Sequence, residues 1–392
     1  MQRRQEPTFQ WQLVADSTLS RAVRYQRYRV LGTAERSVHV LRVNLRDPSV
    51  EVKLVPAIPG QQETLAEIVQ RYDTLSPFQV VAAVNGYFWS RSGMLPVGLA
   101  ATDGELLQLH RYKRWSSFVV DARGTSVLDT FLLEAWIRLP GGERVELANV
   151  NRRDHSQGVV LYTRFAGDTV PRQGASVVAV PIEEQPDSVL LVSVPTDTVE
   201  LPLKKLRLRY LRMPFVGGAV PCQVLSVDSG ATAMPLRGCV LSLGQDFPDS
   251  LLPVPGDTVW LETRLRPRVG LRVRHVWSGT PRLVRDGRVR VEAAQEGTTS
   301  ERFLYRRRAR TAIGVTRQGE LLLVVVEHNG HSAGATVPEL AAWMRSLGAY
   351  QALNLDGGSS SGMYLAGGGS IGNRFPVASA LVILQRQTRS VP

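Results

Sequence analysis

Two carboxylates stand where strand-like runs break off in the last quarter of the chain: Glu327 follows Leu321 to Val326, and Asp356 follows Tyr350 to Leu355. A pair of carboxylates is the reagent set of glycosyl chemistry. One group handles a proton while the other activates water or attacks the anomeric carbon, at separations of about 5–5.5 Å or about 6.5–9.5 Å. Directly after Asp356 come Gly357-Gly358-Ser359-Ser360-Ser361-Gly362. Glycine removes the side-chain barrier there, so backbone amides and serine hydroxyls can approach a ligand oxygen. Asp-Gly-Gly is also an ordinary turn sequence. His328 and His331, in Glu327-His328-Asn329-Gly330-His331, read as ligands or as solvated loop histidines. The sequence assigns no metal and no cofactor, and a divalent cation stays open.

The elements that position these residues are short. Runs of β-branched and aliphatic residues between Gly, Pro and Asp dominate, for example Val38 to Asn44, Gln79 to Val84 and Val259 to Thr263, the pattern of strands and turns. Helical periodicity is clear after Thr64 and after Thr336, each opening a Thr-x-x-Glu capping box with Glu67 or Glu339. Residues 321–361 read as strand, loop, helix, strand, loop. As a βαβ unit its two strands run parallel, and Glu327 and Asp356 emerge on one sheet edge. The predicted fold is α+β: mostly β with a mixed sheet, two main helices and a βαβ unit near the C-terminus. Residues 1–170 and 269–392 form the N- and C-terminal parts of a catalytic domain, with an inserted β-rich subdomain at 171–268.

The chain has 392 residues, 43% of them hydrophobic, enough for a large core. No stretch approaches the roughly 18–20 apolar residues of a spanning helix. Met1 to Pro7 turns polar at once and lacks the apolar core of a secretory signal. The net charge is +12, and only four of the 47 basic residues are lysine. Arginine's planar fork suits phosphate and carboxylate, while so one-sided a bias also accompanies genome composition or life at high temperature. The basic residues are spread along the chain, with no zinc-finger, helix-turn-helix or aromatic RNA-binding pattern, so nucleic acid is not the expected partner. Arg306-Arg307-Arg308 is the one dense run. Cys222 and Cys239 read equally as a pair or as buried thiols. The oligomeric state is not legible.

Several motifs taken in order resemble one family, the phosphodiester glycosidases, which include the N-acetylglucosamine-1-phosphodiester α-N-acetylglucosaminidase or "uncovering" enzyme and bacterial exopolysaccharide-related members. They are Val38 to Pro48, Asn85-Gly86-Tyr87-Phe88, Pro96-Val97-Gly98 with Asp103-Gly104, Asn151-Arg152-Arg153, Ser278 to Val284, Arg310-Thr311-Ala312-Ile313-Gly314 and Leu355-Asp356-Gly357-Gly358-Ser359-Ser360. The resemblance implies cleavage of the sugar C1–O bond in a sugar-1-phosphodiester or related acidic glycoconjugate. The alternative is a non-catalytic carbohydrate-binding or exopolysaccharide-assembly protein. Asp356 and Glu327 would be the catalytic carboxylates, Arg310 the phosphate contact and Asn85 a sugar or phosphate hydrogen bond. Tyr87, Thr311, Gly357, Gly358, Ser359, Ser360, His328, Asn151 and Arg152 would complete the substrate site. The resemblance also implies an extracytoplasmic or secreted location. Two departures stand out: Glu327-His328 replaces the family's Asp-Gly, and Ser359 replaces the third glycine of Asp-Gly-Gly-Gly-Ser.

Overall fold

A computed structural model describes residues 9–386 except 33, 59–60, 76–77, 90–94, 154–156, 172–175, 183–184, 195–202 and 373–374; between 172 and 202 it describes backbone pairing only. Strands dominate, and the helices are Leu65–Leu75, the five-residue Glu301–Tyr305 and Val337–Ser346.

Two sheets are packed face to face. The larger has eight strands, and its centre runs Val23–Leu31, Arg36–Asn44, Glu320–Val326, Arg310–Thr316, Ala349–Asn354. The smaller has five, with Val50–Pro56, Ser379–Arg386, Phe78–Asn85, Gly362–Leu365 and Gly369–Gly372 as neighbours. Side-chain alternation explains the layering. Leu321, Leu323 and Val325 point into the core between the sheets, with Leu41, Ile313, Val84, Met363 and Leu381. Leu322, Val324 and Val326 point the other way, onto Val337, Leu340, Ala341, Trp343 and Met344 of the last helix. The first helix covers the outer face of the smaller sheet through Leu65, Ile68 and Val69 against Val80, Ala83 and Val382. Both helices carry the expected cap: Thr64 with Glu67 and Thr336 with Glu339 exchange side-chain and backbone hydrogen bonds.

The α+β expectation with a mixed sheet and a βαβ unit is corrected by the pairing. Glu320–Val326 and Ala349–Asn354 never touch; Arg310–Thr316 lies between them and is antiparallel to both. The larger sheet is antiparallel throughout its described pairs. Six apolar residues in a row reflect burial on both faces, a pattern that also marks parallel strands. Here the second cover is another sheet, so the fold is mostly β.

A third sheet of five strands extends the core through Phe118 and Trp277. A closed barrel of seven strands drawn from Leu132–Arg138 to Thr258–Arg266 has its own apolar interior. Its Arg144–Val150 and Val159–Tyr162 make the one parallel pairing among the described strands. Cys222 and Cys239 are free and buried in that interior. Among the described residues no helix is long and apolar enough to cross a membrane.

Candidate functional site

The turns that end three strands meet at the rim where the two sheets face each other. Asn85, the last residue of its strand in the smaller sheet, is buried and cross-links the layers. Its Nδ2 donates to the Asp356 carbonyl at 2.7 Å, and its Oδ1 accepts from Thr311 Oγ1 at 2.7 Å and from the Gly362 amide at 3.1 Å. A backbone amide can only donate and a carbonyl only accept, so both ends of the amide are fixed without ambiguity.

Asp356 follows the Ala349–Asn354 strand and opens the glycine-rich turn. The Gly357 amide donates to its Oδ1 at 2.9 Å, and the Ser360 hydroxyl and the Trp89 indole also hydrogen-bond the carboxylate. Burial pushes its pKa up to about 6 against these three stabilising bonds. Gly358 holds a left-handed φ of 64°, with open space where a Cβ would sit, and its amide donates to Ala309 O at 2.8 Å. That conformation is the physical reason for glycine here.

Glu327 sits at the end of the Glu320–Val326 strand. Its Oε2 lies 3.1 Å from His39 Nε2, and Tyr25 Oη lies 2.8 Å from His39 Nδ1. An ionised carboxylate only accepts, so a proton on His39 Nε2 points at Glu327. The His39 hydrogen bond holds the Glu327 carboxyl below the usual range. Because one strand intervenes, the Glu327 and Asp356 backbones lie about two strand widths apart, roughly 9–10 Å.

A cleft of about 750 Å³ opens at this rim, walled by Tyr25, His39 and Glu327 on the larger sheet, Ser370 to Gly372 on the smaller, and Gly358 and Ser359 of the turn. His328 lines it too, and Asp356 lies behind the turn rather than on the cleft wall. Thus Asn85, Thr311, Asp356, Gly357 and Ser360 form one hydrogen-bonded group, while Glu327, His328, Gly358 and Ser359 line the cleft.

Other candidates are placed elsewhere. The buried Arg310 guanidinium donates to Ala335 O at 3.0 Å, Phe303 O at 2.7 Å and Arg306 O at 3.0 Å, and burial lowers its pKa to about 10. Its Nε and Nη2 thus brace backbone. Tyr87 is buried and donates to Ala378 O at 3.2 Å. Asn151 has a left-handed φ of 58°; it accepts from the Thr163 amide at 2.8 Å and donates to Leu106 O at 3.3 Å, which joins the barrel to the third sheet. Neither Asn151 nor Arg152 lines the cleft. Sequence reasoning missed Tyr25 and His39. The available signal was a histidine at an inward-facing position of an apolar strand, Val38-His39-Val40. Among the described residues no group of three or more His, Cys, Asp or Glu could hold a metal.

Residues 233–384 match the phosphodiester glycosidase family, a span that includes Glu327, Arg310, Thr311 and the whole Asp356 turn but not Asn85, Tyr87, Asn151 or Arg152. No curated protein matches the chain. Among solved structures, a hypothetical protein from Synechocystis is 22% identical with a TM-score of 0.65, over 98% of this chain and 65% of that one. The chain therefore spans under two thirds of that protein's length. A protein described as exported, from Burkholderia pseudomallei, is 17% identical with a TM-score of 0.63 over 97% of both chains. These two likenesses concern the fold. The zebrafish N-acetylglucosamine-1-phosphodiester α-N-acetylglucosaminidase catalytic domain, auto-inhibited by its pro-peptide, is 12% identical with a TM-score of 0.49, over 97% of this chain and 89% of that one.

Proposed function

We propose that this protein is a hydrolase that cleaves the C1–O bond of a sugar-1-phosphodiester or a related acidic glycoconjugate, outside the cytoplasm. The observation that carries the reading is a pair of carboxylates at one sheet rim whose acidities are pushed in opposite directions, Asp356 up to about 6 and Glu327 down. Such splitting assigns proton-handling roles to otherwise similar groups. The family match over residues 233–384 supports the same chemistry.

In this reaction a water oxygen bonds to C1 while the C1–O bond breaks, and the electron pair leaves on the phosphate. The departing phosphate is a weak base, so it needs little help from a general acid. The demand falls on a base for the water, and a pKa of about 6 suits a base working near neutrality. Asp356 takes that role by moving toward the cleft or through one bridging water. Glu327, ionised and held by His39, stabilises positive charge that develops on the sugar ring. Asn85 and Thr311 position the turn that carries the base.

The test measures free sugar released from a synthetic sugar-1-phosphodiester by the wild type, Asp356→Asn and Glu327→Gln. Each substitution is expected to lower kcat by at least about 100-fold, and the wild-type acid limb of kcat/KM should fall near pH 6, the value for Asp356. Full activity in Asp356→Asn would remove Asp356 from the mechanism. Binding without any sugar release by the wild type would favour a carbohydrate-binding protein, a reading that the recessed position of Asp356 also admits.

A further inference from the structure

Beside the cleft, and sharing Ala309, His328, Gly358 and Ser359 with it, lies a second cavity of about 410 Å³ whose far wall is Arg302, Arg306, Arg307 and Arg308. Of these arginines, Arg307 pairs with Glu339 at 2.9 Å, a carboxylate that Arg36 shares at 3.2 Å. The other three have no ion pair among the described residues. Burial lowers the Arg308 pKa, and the neighbouring Arg306 and Arg302 charges stand close enough to lower it further. Three guanidinium groups around one hollow repel each other, and that cost is recovered only when an anion enters.

Their placement is built, not incidental. The buried Arg310 side chain clamps the Phe303 and Arg306 carbonyls, fixing the backbone from which Arg302, Arg306 and Arg308 project. The Arg308 amide pairs with Ala335 O at 3.2 Å, and Arg310 holds that same carbonyl. The Arg310 cation also lies 5.3 Å from the Phe303 ring centroid. On the cleft side, the exposed Ser359 hydroxyl marks the boundary between the two cavities.

We propose that this arginine-lined cavity is the subsite for the leaving group, and that it selects a diphosphate over a single phosphodiester charge. The inference rests on the hydrolase reading and specifies the acidic side of its substrate. The sugar would occupy the cleft at Glu327, the C1–O bond would cross at Gly358 and Ser359, and the phosphoryl groups would lie against Arg302, Arg306 and Arg308. Three unpaired cations leave two uncompensated when they meet one negative charge, whereas a diphosphate answers most of them and suits bidentate guanidinium contacts. Arg310 is then a positioning residue.

The experiment titrates the 392-residue chain with pyrophosphate and with inorganic phosphate by calorimetry at fixed ionic strength. It compares the wild type, Arg302→Gln/Arg306→Gln, Arg308→Gln, and the control Arg288→Gln, an exposed arginine on the outermost strand of the larger sheet. Pyrophosphate should bind the wild type at least about tenfold more tightly than phosphate, and the double variant should lose at least about tenfold in pyrophosphate affinity. Arg288→Gln should stay within about twofold, as a distant surface charge does. Because Arg302 and Arg306 are exposed, the double variant is expected to keep the wild-type melting temperature without ligand. Equal binding of the two anions, or pyrophosphate binding unchanged in the double variant, would overturn the proposal. Sugar release is assayed separately on a sugar-1-diphosphate and a sugar-1-phosphodiester. Arginine-dependent pyrophosphate binding with no sugar release from either substrate would overturn the hydrolase reading and leave the anion site standing.

Discussion

Replacing Asn85 with Asp changes one NH2 group into an oxygen and almost nothing else in shape. In the native protein that group donates to the Asp356 carbonyl at 2.7 Å, while the other end accepts from Thr311 and the Gly362 amide. Asp at this position keeps both acceptor contacts, but once ionised it sets a carboxylate oxygen against a carbonyl oxygen in a buried site, so the comparison is made at a pH where that carboxyl has lost its proton. Losing the bond and leaving the Asp356 carbonyl unsatisfied costs about 1–3 kcal/mol, and repulsion between the two oxygens adds to it. Asn85→Ala instead removes three bonds and leaves three buried groups without partners, about 3–5 kcal/mol in total. Both variants should shift the urea midpoint downward. The decisive readout is kinetic: Asn85→Asp should lower kcat for sugar release more than it raises KM, because it disturbs the turn that carries Asp356 and not the cleft wall. A variant with wild-type kcat and a wild-type urea midpoint would show that Asn85 does not hold this turn, and the case for Asp356 as the base would lose its structural support.

Arg310→Met removes a buried cation bonded to three carbonyls; it should destabilise the fold by about 3–5 kcal/mol and weaken pyrophosphate binding without touching the ligand. Thermal melting and calorimetry on the same sample check both effects. Glu296, buried among Ser116, Thr280 and the Arg282 amide, has its pKa pushed up to about 7 by burial. Its native form keeps a proton that the unfolded chain releases near pH 4.5. The native state therefore binds more protons between these values, and stability declines as pH rises through that window, by about 3 kcal/mol when complete. Glu296→Gln, uncharged throughout, should flatten the decline between pH 5 and 8 in chemical denaturation. Part of the slope should persist, because Glu105 is likewise pushed up to about 7 by burial.

How far the sequence showed this structure depends on the range of the interaction involved. The two longer helices were legible because a capping box and an apolar stripe are local: Thr336 and Glu339 sit three residues apart. Strand existence was legible for the same reason. Strand partnership was not. Glu320–Val326 pairs on one side with Arg36–Asn44, nearly 300 residues away, and the helix that follows it returns to a strand two places over. Leu321 to Val326 records burial on both faces without recording what covers each, so a helix on one face and a second sheet on the other gave the same string as a parallel α/β strand.

The site divides along the same line. The Asp356-Gly357-Gly358 turn announced itself because its φ requirement is local. Arg310 misled for the opposite reason. An arginine beside a strand start looks free to meet a phosphate, and only three-dimensional packing reveals that its Nε and Nη2 are taken by the carbonyls of Phe303, Arg306 and Ala335. Two of those carbonyls, Phe303 and Arg306, belong to the segment whose arginines remain unpaired, so the two observations are linked. An arginine-rich loop held by that guanidinium keeps its charges clustered in spite of their repulsion. If Arg310→Lys, which keeps the charge but loses the planar fork, were to bind pyrophosphate as the wild type does, the bracing argument would fail. A lysine ammonium can reach one or two of those carbonyls, not three spread over two segments, so weaker binding with only partial loss of stability is the outcome the geometry requires.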